Sequence, residues 1–253
     1  RSLIFVSEIR EDISLDLTVR SSHLEETEVK QSLHINDDWL RIDVDLSDVG
    51  EVLENGLDQL GVTLGRLPNL TLALPRSGNT QGFVHSYLPT DKKSGCPVEL
   101  HGDFYLEESR KSVDFTNIAY NKRLLDLASD ALIDALLTSP EQFSSLPYAL
   151  SLLSETNIFY GRIKERFTSD IDEFIQLLKV ISEHQVIKTE YWFDQLYSLI
   201  NLFMPVREHN KRGDPYNLNI VKPYFSALSN SGLHLIPVDL KERETEVNVG
   251  LSN

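Results

Sequence analysis

Glu99, His101 and Asp103 recur at every second residue of Pro97-Val98-Glu99-Leu100-His101-Gly102-Asp103-Phe104, so an extended chain would carry all three on one face. Histidine-x-aspartate at that spacing can supply two ligands of a facial metal triad. A third ligand would have to come from His85, His209 or His234, none of them at a diagnostic distance in sequence. A polar strand face turned to water accounts for the same residues, and no metal is expected. Cys96 stands beside Pro97 after a glycine turn, with no evident base to activate it. The chain has no Gly-x-Ser-x-Gly elbow and no glycine-rich phosphate loop. Ser109-Arg110-Lys111 remains, a basic run placed where the alternation has stopped. Glu107 and Glu108 just before it offer a local salt bridge as the competing use of its charges.

The elements that must position these residues follow from apolar spacing. Gly82 to Leu88 reads as an aromatic-rich strand ended by Pro89, and Thr90 to Gly95 as a polar turn. Pro97 to Leu106 alternates, with Val98, Leu100, Gly102, Phe104 and Leu106 on the opposite face from Glu99, and it is expected to be the hairpin partner of the first strand. From about Asn117, Leu124, Leu125, Leu127, Ala128, Ala131, Leu132, Ala135 and Leu136 recur at helical spacing until Ser139-Pro140. Upstream, the region Leu3 to Val19, Val29 to Ile35, Leu40 to Leu46 and Leu70 to Leu74 read as strands. Asp48 to Gly61 fits either a short acidic helix or a loop.

After Pro140 the spacing is helical. Phe143 to Leu153 and the stretch from Ile163 are expected helices. Ser169-Asp170 reads as a cap for a helix holding Phe174, Leu177, Leu178 and Ile181. Glu190 to Met204 is another expected helix, and Leu233 to Val238 a last strand. The expected fold class is α+β: a β-rich domain over 1–139 with one long helix, then a mostly helical domain over 140–253.

Taken in order, Leu88-Pro89, Gly95, Pro97-Val98, Gly102, Phe104, Ser109-Arg110-Lys111, Asn121 and Leu124-Leu125 resemble a motif of the sacsin and No Vein group. Leu3-Ile4-Phe5-Val6 and Ile9-Arg10 fit an upstream piece of the same pattern. The resemblance covers about residues 3–137. Lys111 departs from it where a second arginine is frequent, and Val113 lies near a position frequently held by tryptophan. These are GHKL-type, heat-shock-chaperone-like ATPases, and the resemblance implies the segment that follows the ATP-binding module. That module, with its ATP and Mg²⁺, is expected upstream of Arg1, because its glutamate-asparagine helix and aspartate-x-glycine-x-glycine are not found in this chain. The resemblance further implies that Arg110 and Lys111 are the catalytic contribution of this segment, reaching the γ-phosphate. An arginine suits that role because its charge is fixed and its planar fork matches phosphoryl oxygens. Coupling of ATP turnover to protein partners or clients is then expected. The alternative is a protein-interaction module with no nucleotide coupling.

Composition bounds these readings. In 253 residues, 41% are hydrophobic, enough for a sizeable core. The net charge is −15, and residues 1–58 alone hold 15 acidic and 5 basic side chains, which argues against a general nucleic-acid surface. The single cysteine excludes an internal disulfide and points to a reducing, cytoplasmic setting. No apolar run approaches a membrane span of roughly 18 residues.

Overall fold

The computed structural model describes residues 13–20, 28–78, 81–106, 111–146, 148–154 and 156–184. Seven strands, β1 (Ile13–Arg20), β2 (Glu28–Ile35), β3 (Trp39–Asp45), β4 (Leu70–Pro75), β5 (Phe83–Ser86), β6 (Leu88–Lys93) and β7 (Glu99–Gly102), form one mixed sheet. Its order is β1-β2-β3-β4-β7-β5-β6. The first four strands are an antiparallel meander with regular register. The α+β class is therefore as the spacing predicted.

Register sorts the side chains. Leu33, Ile42, Leu72, Leu100 and Val84 line up across five neighbouring strands, and each is fully buried. This apolar row belongs to the face covered by α2 (Ala119–Thr138), which packs on β1, β3 and β4. A short helix, α1 (Gly50–Asp58), packs on α2 as well, so the acidic stretch after Asp48 is helical. Leu53 and Leu57 are its buried face.

Two expectations about the central stretch are corrected. Residues 90–95 are not simply a turn, since β6 runs from Leu88 to Lys93. Pro89 does not end the strand region but sits in the sheet's outermost strand, where its missing N–H costs least. Second, β7 is not the hairpin partner of β5. It inserts between β4 and β5 and runs parallel to β5, while β6 is the antiparallel partner. The return from β6 to β7 needs a tight turn at Gly95, whose φ is +82° and where an added Cβ would meet the Thr156 carbonyl oxygen at 2.2 Å. Only glycine fits there.

The chain divides into compact units Arg1–Ile163 and Lys164–Asn253, rather than near Pro140. Pro140 stops α2 but opens α3 (Pro140–Phe143), being tolerated at a first helical position. The segment after it returns to the first unit. Tyr148 donates its hydroxyl to the Pro75 carbonyl, and the Ile158 N–H donates to the Ser94 carbonyl at 2.8 Å. Residues 149–153 form a 3₁₀ turn where a longer helix was expected. Arg162, in α4 (Tyr160–Ser169), makes a two-pronged ion pair with Asp130 of α2, both buried, with Nη2 to Oδ2 at 2.9 Å.

In the second unit, α5 (Ile171–Glu183) starts at the expected cap: the Asp170 carboxylate accepts the Glu173 N–H at 3.0 Å. Phe167 and Phe174 are fully buried with ring centroids 5.5 Å apart. The expected helix at Glu190 to Met204 and strand at Leu233 to Val238 lie outside the described residues. No described helix is long and apolar enough to cross a membrane.

Candidate functional site

The basic run falls, in sequence, between β7 and α2, and the described backbone on either side of it is held by hydrogen bonds. The Asp103 N–H donates to the Asn69 carbonyl at 3.2 Å, and the Asp103 carbonyl accepts the Tyr120 hydroxyl at 3.0 Å. The Phe104 carbonyl accepts the Ser86 hydroxyl at 3.0 Å. Asn121, fully buried near the start of α2, then clamps both ends. Its Oδ1 accepts the Tyr105 N–H at 2.8 Å, and its Nδ2 donates to the Tyr105 carbonyl at 2.8 Å and to the Asp114 carbonyl at 3.1 Å. An asparagine is suited to this because one amide offers an acceptor and two donors. The Asp114 carboxylate in turn takes the N–H groups of Thr116 and Asn117 at 2.7 and 2.9 Å, turning the chain into the helix.

Lys111 is exposed, and its carbonyl accepts the Asp91 N–H at 2.8 Å, which ties the loop to the edge strand β6. Arg110, Ser109, Glu107 and Glu108 lie outside the described residues. Lys92 and Lys93 share β6 with Asp91, so Lys111 joins a locally basic edge of an otherwise acidic chain.

The other expected constellation comes together only in part. The uncovered face of the sheet repeats in register: His34, Arg41, Ala73 and Glu99 in one row, and Ser32, Asp43, Thr71, His101 and His85 in the next. Small residues on β4 between larger ones on β3 and β7 leave a cleft of about 500 Å³, lined by Arg41, Asp43, Thr71, His85, Glu99 and His101. His85 Nε2 lies 2.6 Å from Glu99 Oε2, and the His85 and His101 rings stack with centroids 6.3 Å apart. Asp43 accepts from Arg41 Nε at 2.9 Å and from the Thr71 hydroxyl at 2.7 Å. Burial, with the positive charge available to His85, holds the His101 imidazole below its ordinary range, partly opposed by Asp103. A neutral imidazole beside a histidine-carboxylate pair can accept and pass a proton.

Asp103 leaves this group, because the strand ends at Gly102. It pairs with Arg66 instead, at 2.7 Å from Nη1, and accepts the Asn69 N–H at 2.7 Å. Burial opposes the charge on Asp103, but Arg66, the Asn69 N–H and the Tyr87 hydroxyl outweigh it and hold its carboxyl below the usual range. Among the described residues no three His, Cys, Asp or Glu side chains are arranged to hold a metal ion. His209 and His234 lie outside them. Cys96 is buried, and burial pushes its thiol up to about 11, so it is a poor nucleophile at neutral pH.

Arg41, Asp43 and Thr71 fall inside expected strands but carried no functional signal in the sequence. Register, not local spacing, brings them to His101. Arg66 carried no local signal, since its partner is 37 residues away. No family model, curated protein or solved structure matches the chain.

Proposed function

We propose that this chain is the middle, transducer-like segment of a GHKL-type ATPase of the sacsin and No Vein kind, coupling ATP binding and hydrolysis by an upstream module to partner or client proteins. Its support is the sequence resemblance together with one structural observation. The described residues flanking Ser109 and Arg110 are held at Tyr105, Lys111 and Asp114, two of these through the buried Asn121. Anchored flanking backbone is what a phosphate contact in a transition state asks of the chain that carries it. Arg110 supplies the fixed charge, and Lys111 lies beside it on a basic edge.

The test is Arg110→Ala in the full-length protein. Folding and ATP affinity should stay near those of the parent, while turnover falls at least about tenfold, since the contact is made mainly in the transition state. Turnover unchanged within about twofold would take the catalytic role away from Arg110. The chain would then be an interaction module without nucleotide coupling.

A further inference from the structure

Between β5 and β6 the chain reverses at Tyr87, whose φ is +60°. Left-handed backbone costs a bulky L-residue roughly 1–2 kcal/mol, and glycine would relax it. Burial does not repay that cost, because Tyr87 is 66% exposed and the adjacent Leu88 73% exposed. The phenol is nevertheless held. Arg66 Nη2 donates to the Tyr87 hydroxyl at 2.5 Å, and the guanidinium lies 6.0 Å from the ring centroid. Arg66 is itself fixed by the Asp103 carboxylate, buried and further bound to the Asn69 N–H. Leu67, next to Arg66, is 43% exposed. A strained residue is thus used to display an aromatic ring in water, pinned by a buried carboxylate.

We propose that Leu67, Tyr87 and Leu88, with Arg66 between them, form a protein-docking surface whose occupant is a basic, amphipathic segment of another protein. Tyrosine and arginine anchors dominate binding energy when they are central and pre-set, because little side-chain entropy is then lost on association. The choice of occupant rests on charge. Leu67 packs against the start of α1, within 2.5 Å of where a Cβ on Gly50 would lie. On either side of Gly50, Asp45, Asp48, Glu51 and Glu54 are exposed, and no Lys or Arg occurs between Arg41 and Arg66. Asp103 offsets the charge of Arg66, so the rim on the Leu67 side is acidic, while Lys92 and Lys93 lie further along β6 from Leu88. A second copy would bring the same rim against itself, in a chain of net charge −15, and a phosphate backbone would be repelled. The surface needs no nucleotide, so loss of the ATPase reading would not remove it.

The probe is a labelled peptide of about 18 residues with leucine and lysine at helical spacing, set against a leucine–glutamate counterpart, with binding read by fluorescence anisotropy. The lysine peptide should bind at least about tenfold more tightly than the glutamate one, and Tyr87→Gly and Leu88→Ala should each weaken it about tenfold. Lysine-peptide affinity unchanged within about twofold in Tyr87→Gly would mean general charge attraction and overturn the proposal. Equal binding of both peptides, or a dimer lost in that variant, would overturn it as well.

Discussion

The two faces of the sheet are written by the same strands, yet they do different work. On the covered face Leu33, Ile42, Leu72, Leu100 and Val84 are fully buried in one row, with α2 packed on β1, β3 and β4. On the open face, one residue along each strand, stand Ser32, Asp43, Thr71, His101 and His85. Stability is concentrated on the first face, leaving the second free to hold paired charges and imidazoles around a cleft. The difference teaches that the same interaction type should have very different weight on the two sides.

Ion pairs give the largest expected contrast. Asp130–Arg162 and Asp43–Arg41 both join a carboxylate to a guanidinium at 2.9 Å. The first pair is buried at both partners, while 43% of the Arg41 side chain is exposed. Asp130→Ala removes the two-pronged carboxylate partner of a buried guanidinium and should cost about 3 kcal/mol or more. Asp43→Ala should cost less than about 1 kcal/mol, with water replacing the lost partner. Urea unfolding of the two variants checks this, and similar losses would show that the open face is structural too.

Neighbouring residues sharpen the contrast. Leu72→Ala removes a fully buried side chain from the centre of the apolar row and should cost roughly 2–5 kcal/mol. Thr71→Ala, one position away, loses only the hydroxyl bond to Asp43 and should cost about 1 kcal/mol or less. Equal midpoint shifts in a thermal melt would contradict the division of labour between the faces.

What was legible in the sequence follows the same division. Alternation at Leu40 to Leu46 and at Pro97 to Gly102 was readable because one face of each strand is buried, which forces a period of two. The helical spacing of Leu124 to Leu136 was readable for the equivalent reason. Pairing was not readable: nothing local distinguishes a β7 that is antiparallel to β5 from one that is parallel to it and lies next to β4. Spacing also does not say that Tyr148 and Arg162 tie the segment after Pro140 to Pro75 and Asp130. At Tyr87 no glycine or asparagine announces a left-handed residue, so the turn was placed after Pro89 instead. Of the open face, Glu99 and His101 were recognised as related and His85 was one of three candidate third ligands, but Asp103 was drawn into the same group because alternation was carried past the end of the strand.

The smallest expected effect belongs to His101 and concerns pH. Burial disfavours its charged form, and His85 on β5 and Arg41 on β3 add to this; Asp103 works the other way. Thr71 and Asp43 also face it from β4 and β3, and Glu99 from its own strand. The folded protein therefore holds this proton less tightly than the unfolded chain, whose histidines titrate near about 6.5. Between the lowered folded value and that ordinary one, the unfolded state binds more protons, so stability rises with pH across the window. The stability linked to a neutral His101 is fully present above about pH 6.5 and is lost as pH falls toward the folded value. His101→Gln should change stability by less than about 0.5 kcal/mol at pH 7.5 but soften the loss on acidification. NMR titration of the ring proton, assigned against His85→Gln, should place the His101 midpoint below about 6.5. A midpoint at or above the ordinary value would mean that Glu99 and Asp43 outweigh burial, and that the open face favours a charged imidazole rather than a neutral one.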